Sequence, residues 1–223
     1  MNVCYLIKGE HFHNLTLRSI NDINRLNRTG DRINFIILHQ DDLNRRSEHS
    51  YIRMPSDLSD MSLMHQRVFI PDIIRDELNI DRIIFLDSDV YPRTCIGKLW
   101  SCDIGNNAIG AVSHLYFDSV YDILSYYRLS KYISHEDKQT KCFNGGVKII
   151  NISKYLELNI VDRYFNMVNE NNVSKEEPFL NIILKHNWFQ LNKKWNLHPG
   201  VTQTWDRDCF IHPYGCKQPG LMY

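Results

Sequence analysis

Alanine is nearly missing from this chain, which carries it only at Ala108 and Ala111. That scarcity, with frequent Ile and Asn, points to an AT-rich genome and excludes no function. Long apolar runs are missing too. No stretch approaches the length of a membrane span, and the opening M-N-V-C-Y-L-I-K-G-E is too short in apolar character for a secretion signal. The expected location is cytoplasmic, with at most peripheral membrane contact. There is no charge excess, because Lys plus Arg equals Asp plus Glu at 26 each. No nucleic-acid partner is therefore implied, and any basic surface has to be local. C-x-x-C pairs are also absent: Cys4, Cys95, Cys102, Cys142, Cys209 and Cys216 are scattered, as free thiols are in intracellular chains. Cys209, His212 and Cys216 group loosely, but three ligands without a fourth make a weak zinc signal. No repeat, low-complexity tract or linker interrupts the chain. Its 223 residues, 43% hydrophobic, read as one α/β domain spanning 1–223 with ample core.

What is present centres on residues 82–90, R-I-I-F-L-D-S-D-V. Four apolar residues run straight into two carboxylates and then Tyr91 and Pro92, the pattern of a buried central strand ending in a turn. In an open α/β sheet, ligands collect beyond the carboxyl ends of the strands. Residues i and i+2 of an extended chain point the same way, so Asp87 and Asp89 can reach one ion. Two hard oxygen donors suit a divalent cation that bridges to phosphate. A capped turn is the plainer reading of a lone D-x-D. The buried strand in front favours the ion, since two carboxylates there repel unless something cationic joins them.

Taken in order, residues 3–7 predict a strand, Leu15, Ile20, Ile23 and Leu26 mark a helix, and residues 34–38 predict a second strand, together a βαβ unit. Residues 62–78 predict a helix broken in two by Pro71. A strand is expected over 108–112. The tyrosines that follow, Tyr116, Tyr121, Tyr126, Tyr127 and Tyr132, fit packing or a sugar platform. The polar run at 134–141 predicts a mobile loop. Residues 142–151, C-F-N-G-G-V-K-I-I-N, predict a strand whose paired glycines allow either close backbone approach or a bulge. A helix capped by Ser153 is expected to about residue 169. Another begins at E-E-P-F-L-N, with Pro178 in its first turn and Glu176 and Glu177 at its positive end.

The ordered series R-V-F-I-P, F-L-D-S-D-V, L-W-x-x-D-I-G, F-N-G-G-V-x-I-I-N, E-E-P-F-L-N, W-N and I-H-P-Y-G resembles glycosyltransferase family 8, which contains glycogenin and bacterial lipopolysaccharide glucosyl- and galactosyltransferases. The resemblance covers residues 12–215. It implies a GT-A fold, a Rossmann-like, mostly parallel mixed sheet flanked by helices. It further implies a nucleotide-sugar donor such as a UDP-hexose, a glycan or other hydroxyl acceptor, a bound Mn²⁺ and retention of anomeric configuration. By the same resemblance Asp87, Asp89 and His212 are the metal ligands. A histidine nitrogen among them favours Mn²⁺ over Mg²⁺. Arg67, Ser88, Gly145, Gly215 and Lys217 then fall to the donor. Asn144 and Glu176 fall to its sugar, and Glu177 to the face of the sugar where a nucleophile or cation stabiliser would stand.

Three positions depart from the family pattern. The turn after the first strand reads K-G-E where relatives carry D-x-x-Y, leaving Lys8, Tyr5 and Phe12 as alternatives for holding the base. Lys217 comes one residue early in the final motif. Pro178 replaces a residue that is often acidic, leaving Glu177 as the candidate carboxylate. Two rival readings stand beside the transferase. One is a phosphatase of the haloacid dehalogenase type, in which Asp87 is phosphorylated; its motif normally lies near the N-terminus, whereas two strand–helix units precede it here. The other is a non-catalytic nucleotide-sugar binding module.

Overall fold

The apolar runs become strands. The structure, a computed structural model, describes residues 1–28, 30–41, 47–171, 173, 175–198 and 208–213. In it β1 (Asn2–Ile7) and β2 (Asn34–His39) pair in parallel across α1 (Glu10–Leu26), the expected βαβ unit. Outside β2 lies β3 (Ser50–Arg53), a half-exposed edge strand with no apolar run to announce it. The Asp-bearing segment supplies β4 (Arg82–Leu86), and β5 (Tyr91–Pro92) follows it. Then come β6 (Ile109–Ser113), β7 (Phe143–Asn151), β8 (Trp188–Leu191) and β9 (Phe210–Ile211). Seven strands form one sheet in the order β3-β2-β1-β4-β7-β6-β8, while β5 pairs with β9. Only β7 runs against its neighbours β4 and β6, so the sheet is mixed and mostly parallel, as expected.

Alternation along the strands fills two cores. Cys4, Leu6, Ile36, Leu38, Ile83 and Phe85 point to one face, and Val3, Tyr5, Ile7, Phe35, Ile37, Ile84 and Leu86 to the other. The first face is covered by α2 (Leu63–Gln66), α3 (Ile70–Leu78), α5 (Val120–Tyr126), α6 (Ile152–Glu157), α7 (Ile160–Val168) and α8 (Glu177–Ile183). The second takes Ile20 and Ile23 of α1, Leu99 of α4 (Gly97–Trp100), Trp195 and Phe210.

Two helix expectations need correction. The segment 62–78 does divide, but at a 3₁₀ turn over Arg67–Phe69, with Pro71 inside the first turn of α3. A proline ring clashes with the carbonyl four residues back, here that of Arg67, so the irregularity falls before the proline. The helix expected from Ser153 to residue 169 is two helices. Its cap is the Asn151 side chain, which accepts from the Lys154 amide, while the Ser153 hydroxyl donates to Asp81. Asn159, left-handed at φ 48°, separates α6 from α7.

Topology gathers the chemistry at one edge. Because β1, β2 and β4 are parallel, their carboxyl ends share an edge of the sheet. The antiparallel β7 begins at that edge with Phe143 and Asn144, and both β6 and β8 finish there. Lys8, Asp87 to Asp89, His114, Asn144 to Gly146 and the segment after Leu191 are thus neighbours in space though dispersed in sequence.

Candidate active site

Asp87 leaves β4 with its amide donating to the Gly146 carbonyl at 2.8 Å, which ties the first carboxylate to β7. Tyr91 then pairs with Ile211. Extending that register by one residue places His212 opposite Val90, beside Asp89. The His212 amide is fixed by the Leu197 carbonyl at 2.8 Å. Its Nε2 lies 3.3 Å from Asp89 Oδ1 and 3.6 Å from Asp87 Oδ2. One donor atom from each of the three residues falls within 4.8 Å of the others, the one such His, Cys, Asp or Glu trio among the described residues. Cys209 takes no part in it, and Cys216 lies outside the described residues.

A Cβ on Gly146 would stand 2.6 Å from His212 Nδ1 and 3.1 Å from Asp87 Oδ2. Glycine is what lets the histidine reach the carboxylates. The bulge is real as well: Ala111 pairs with Lys148 but Val112 with Asn144, so β6 passes over three residues of β7.

Backbone donors set the polarity of the hydrogen bonds behind the trio. The Gly146 amide donates to Asn144 Oδ1 at 3.0 Å, so Asn144 Nδ2 must be the end that donates to Glu177 Oε2, at 3.2 Å. Asn196 Nδ2 also donates to Asn144 Oδ1, at 2.7 Å. Asn196 Oδ1 is left facing His212 Nδ1 at 3.0 Å, and an amide oxygen can only accept. His212 therefore carries a proton on Nδ1 and turns Nε2 toward the carboxylates. An oriented imidazole of this kind is the usual form of a metal-binding histidine. The donor set of one nitrogen and two carboxylates, with Gly146 making room, fits a divalent cation.

Charge is concentrated here. Arg67 Nη2 lies 2.7 Å from Asp87 Oδ1 and Nη1 lies 3.3 Å from Glu176 Oε1, making it a buried bridge rather than a surface ion pair. Burial disfavours its charge, yet the carboxylates, Asp87 foremost, raise its pKa. Burial pushes the Asp87 carboxyl up, only partly offset by Arg67 and His212. At Asp89 burial is the largest influence and raises the pKa, but the His212 hydrogen bond and charge, a backbone hydrogen bond and the charge of Arg67 together outweigh it, and the pKa falls. His212 resists the effect of burial through that same bond and the two carboxylates, and its pKa rises. Burial pushes Lys148 down against the opposing pull of Glu176; its ammonium sits 4.8 Å from the centre of the Phe85 ring.

Asn181, fully buried, fastens α8 onto β7. Its Oδ1 accepts from the Phe143 amide at 2.8 Å, and its Nδ2 donates to the Phe143 carbonyl at 3.0 Å. Glu177 is thereby brought against the strand, where the Gly145 amide donates to Oε2 at 2.7 Å. Above these groups opens a cleft of about 730 Å³ whose walls include Arg67, Asp87, Asp89, Glu177 and His212.

Ser88, Asn144, Gly146 and Glu176 also face the cleft, but Lys8 stands exposed on the turn after β1 and is not among its walls. Of the alternatives for the base, Tyr5 is fully buried with its hydroxyl against Ser19 at 3.0 Å. Phe12 lines the cleft and is 44% exposed. Gly215 and Lys217 lie outside the described residues. His114, Lys148, Asn181 and Asn196 were assigned no role from sequence. Asn196 stands inside the W-N signal and Asn181 closes E-E-P-F-L-N, but single polar residues announce nothing until strand register shows what they face.

An open α/β sheet with an Asp-Asp-His trio and a cleft at its carboxyl edge belongs to the class of α/β folds that bind ligands beyond their strand ends. The particular family follows from comparison. Residues 3–212 match glycosyl transferase family 8, and the chain belongs to it. This membership removes support from the phosphatase alternative. The chain is 31% identical over 137 residues to General stress protein A of Bacillus subtilis, covering 59% of this chain and 44% of that protein. It is 25% identical over 138 residues to glycosyltransferase GlyF of Streptococcus pneumoniae, covering 60% and 29%. The chain thus spans less than half the length of either curated relative. Among solved structures, the galactosyltransferase LgtC in complex with donor and acceptor sugar analogues superposes with a TM-score of 0.74 at 18% identity, covering 98% of this chain and 89% of that one. That likeness shows the fold, GT-A. Among the described residues no helix is long and apolar enough to cross a membrane.

Proposed function

We propose that this chain is a single-domain, retaining, Mn²⁺-dependent glycosyltransferase that moves a hexose, glucose or galactose first, from a UDP-sugar to a hydroxyl of a glycan or glycoconjugate. The observation that carries this reading is the convergence, on one sheet edge, of Asp87, Asp89 and His212 with Asn144, Glu176 and Glu177. A cation held by the first three would neutralise charge on the departing diphosphate. Arg67 holds Asp87 and Glu176 at fixed separation, so ligand and sugar-binding carboxylates are set relative to one another. Glu176 keeps Oε2 for sugar hydroxyls while Oε1 is occupied by Arg67. Glu177 stands as an anion in the cleft, suited to attack at the anomeric carbon or to stabilise positive charge there. Retention requires either a carboxylate nucleophile on the opposite face, the first of those roles, or attack from the face of departure assisted by the leaving phosphate.

The test is release of free UDP from a panel of UDP-sugars with Mn²⁺, Mg²⁺ or EDTA, which needs no acceptor. Mn²⁺-dependent release from one sugar, lost in Asp89→Asn, is expected and names the donor. If no sugar is cleaved while calorimetry still shows metal-dependent UDP binding, the site is a binding module or strictly acceptor-dependent. If UDP does not bind at all, this reading fails.

A further inference from the structure

His114 follows β6 and takes no part in the family motifs quoted above. Its ring is nearly buried, with the side chain 7% exposed, and lines the cleft. Nδ1 lies 3.1 Å from the Tyr116 amide nitrogen, which donates to it. A nitrogen that accepts from a backbone N–H carries no proton of its own, so the ring proton belongs to Nε2. Nε2 in turn lies 3.1 Å from Glu177 Oε1 and is therefore a donor. Glu177 meets three N–H groups: His114 on Oε1, and the Gly145 amide and Asn144 Nδ2 on Oε2.

We infer that His114 is a positioning residue that holds Glu177 as an oriented anion in the cleft, its own tautomer locked by the Tyr116 amide. A carboxamide at 177 would turn a donor toward Nε2–H or toward the two donors on Oε2, while protonation of the acid, open only at the free lone pair of Oε1, would weaken Oε1 as the acceptor from His114. The arrangement is therefore selective for the ionised acid. It also distinguishes the two oxygens. Oε2 already accepts twice, whereas Oε1 accepts once and keeps a lone pair for the substrate. Consistent with this geometry, burial tends to raise the Glu177 pKa, but the His114 bond, the Gly145 amide and the charge of Lys148 bring it below the ordinary value.

The inference rests on the transferase reading for its catalytic meaning, and its test separates the two. The first measurement is two-bond ¹⁵N–¹H correlation on ¹⁵N-histidine-labelled protein, with His114 assigned by its loss in His114→Gln. The expected result is the Nε2–H tautomer; an Nδ1–H tautomer or a doubly protonated ring at neutral pH overturns the proposal, whatever the enzyme does. The second measurement is UDP-sugar cleavage. Loss of one hydrogen bond to a charged group predicts that His114→Phe lowers kcat by about 10- to 100-fold. KM is expected to stay within about two-fold, because the interaction matters in the transition state. His114→Gln, which can supply an amide N–H, should recover most of the rate. Equal losses in both variants would make His114 a packing residue and overturn the role. Absence of cleavage in the unaltered protein bears only on the transferase reading, where UDP binding decides it, and leaves the tautomer to decide this inference.

Discussion

At the scale of single residues, the metal trio depends on a missing side chain. Gly146→Ala sets a methyl group against the His212 ring and Asp87 Oδ2. The strand pairing on both sides of Gly146 is otherwise unaffected by one methyl. The expected result is an intact far-ultraviolet circular dichroism spectrum with Mn²⁺ affinity down about 10- to 100-fold, the usual cost of disturbing the groups that orient a ligand. Unchanged affinity by calorimetry would show that His212 is not a ligand. A second residue-scale consequence concerns protons. The His212 pKa is raised, and Nε2 can hold a proton or a metal ion but not both. Mn²⁺ affinity should fall from about pH 8 to about pH 6, with proton release on binding. Without metal the sign reverses: the His212–Asp89 pair stabilises the fold below the ordinary histidine value of about 6.5, and this is lost as pH rises through the raised folded value. A flat affinity profile in buffers of different ionisation enthalpy would sink the competition. Asp87 and Asp89 were legible because an apolar run aims them at a strand end. His114 and Asn196 were not, because their partners are fixed by strand register and backbone amides that no local pattern encodes.

At the scale of elements, the long apolar runs were legible and the breaks were not. β1, β2, β4, β6 and β7 follow their hydrophobic segments within a residue or two, since burial on both faces writes a continuous run. β3 and β8 lie at the sheet edges, half exposed, and write none. The join between α6 and α7 falls at Asn159, a residue that tolerates the left-handed conformation without demanding it. The polar run 134–141, expected as a mobile loop, is a turn fastened to the end of α8. Asp137 there meets Lys185 Nζ at 2.5 Å, His186 Nε2 at 2.9 Å and the Ser134 hydroxyl at 2.9 Å. The Lys185 and Ser134 hydrogen bonds bring its pKa down to about 2 from an ordinary 3.8. A carboxylate depressed in the folded state stabilises above its unfolded value, and that contribution is lost as pH falls through the folded one. The unfolding midpoint of Asp137→Asn should therefore lie below that of the unaltered protein above about pH 4, the gap closing toward about pH 2. A gap that does not change with pH would assign the effect to packing rather than charge.

At the scale of the whole molecule, Arg67 joins the layers. It leaves the 3₁₀ turn between α2 and α3, crosses to Asp87 at the end of β4, and reaches Glu176 at the start of α8. Both partners are buried or nearly so, with side chains 13% and 3% exposed. Replacing Arg67 by the shorter, uncharged chain of Arg67→Met leaves two buried carboxylates without the cation that bridges them. Breaking a buried pair from one side costs about 3–5 kcal/mol. A divalent ion on Asp87, Asp89 and His212 restores positive charge beside one of those carboxylates but leaves Glu176 with only the charge of Lys148 near it. Mn²⁺ should thus raise the melting temperature of Arg67→Met more than that of the unaltered protein, yet not to its level. The comparison is one of thermal melts with Mn²⁺ and with EDTA. Equal increments in the two proteins would mean that Arg67 and the cation act on separate charges, and the picture of one electrostatic unit spanning sheet and helices would have to be given up.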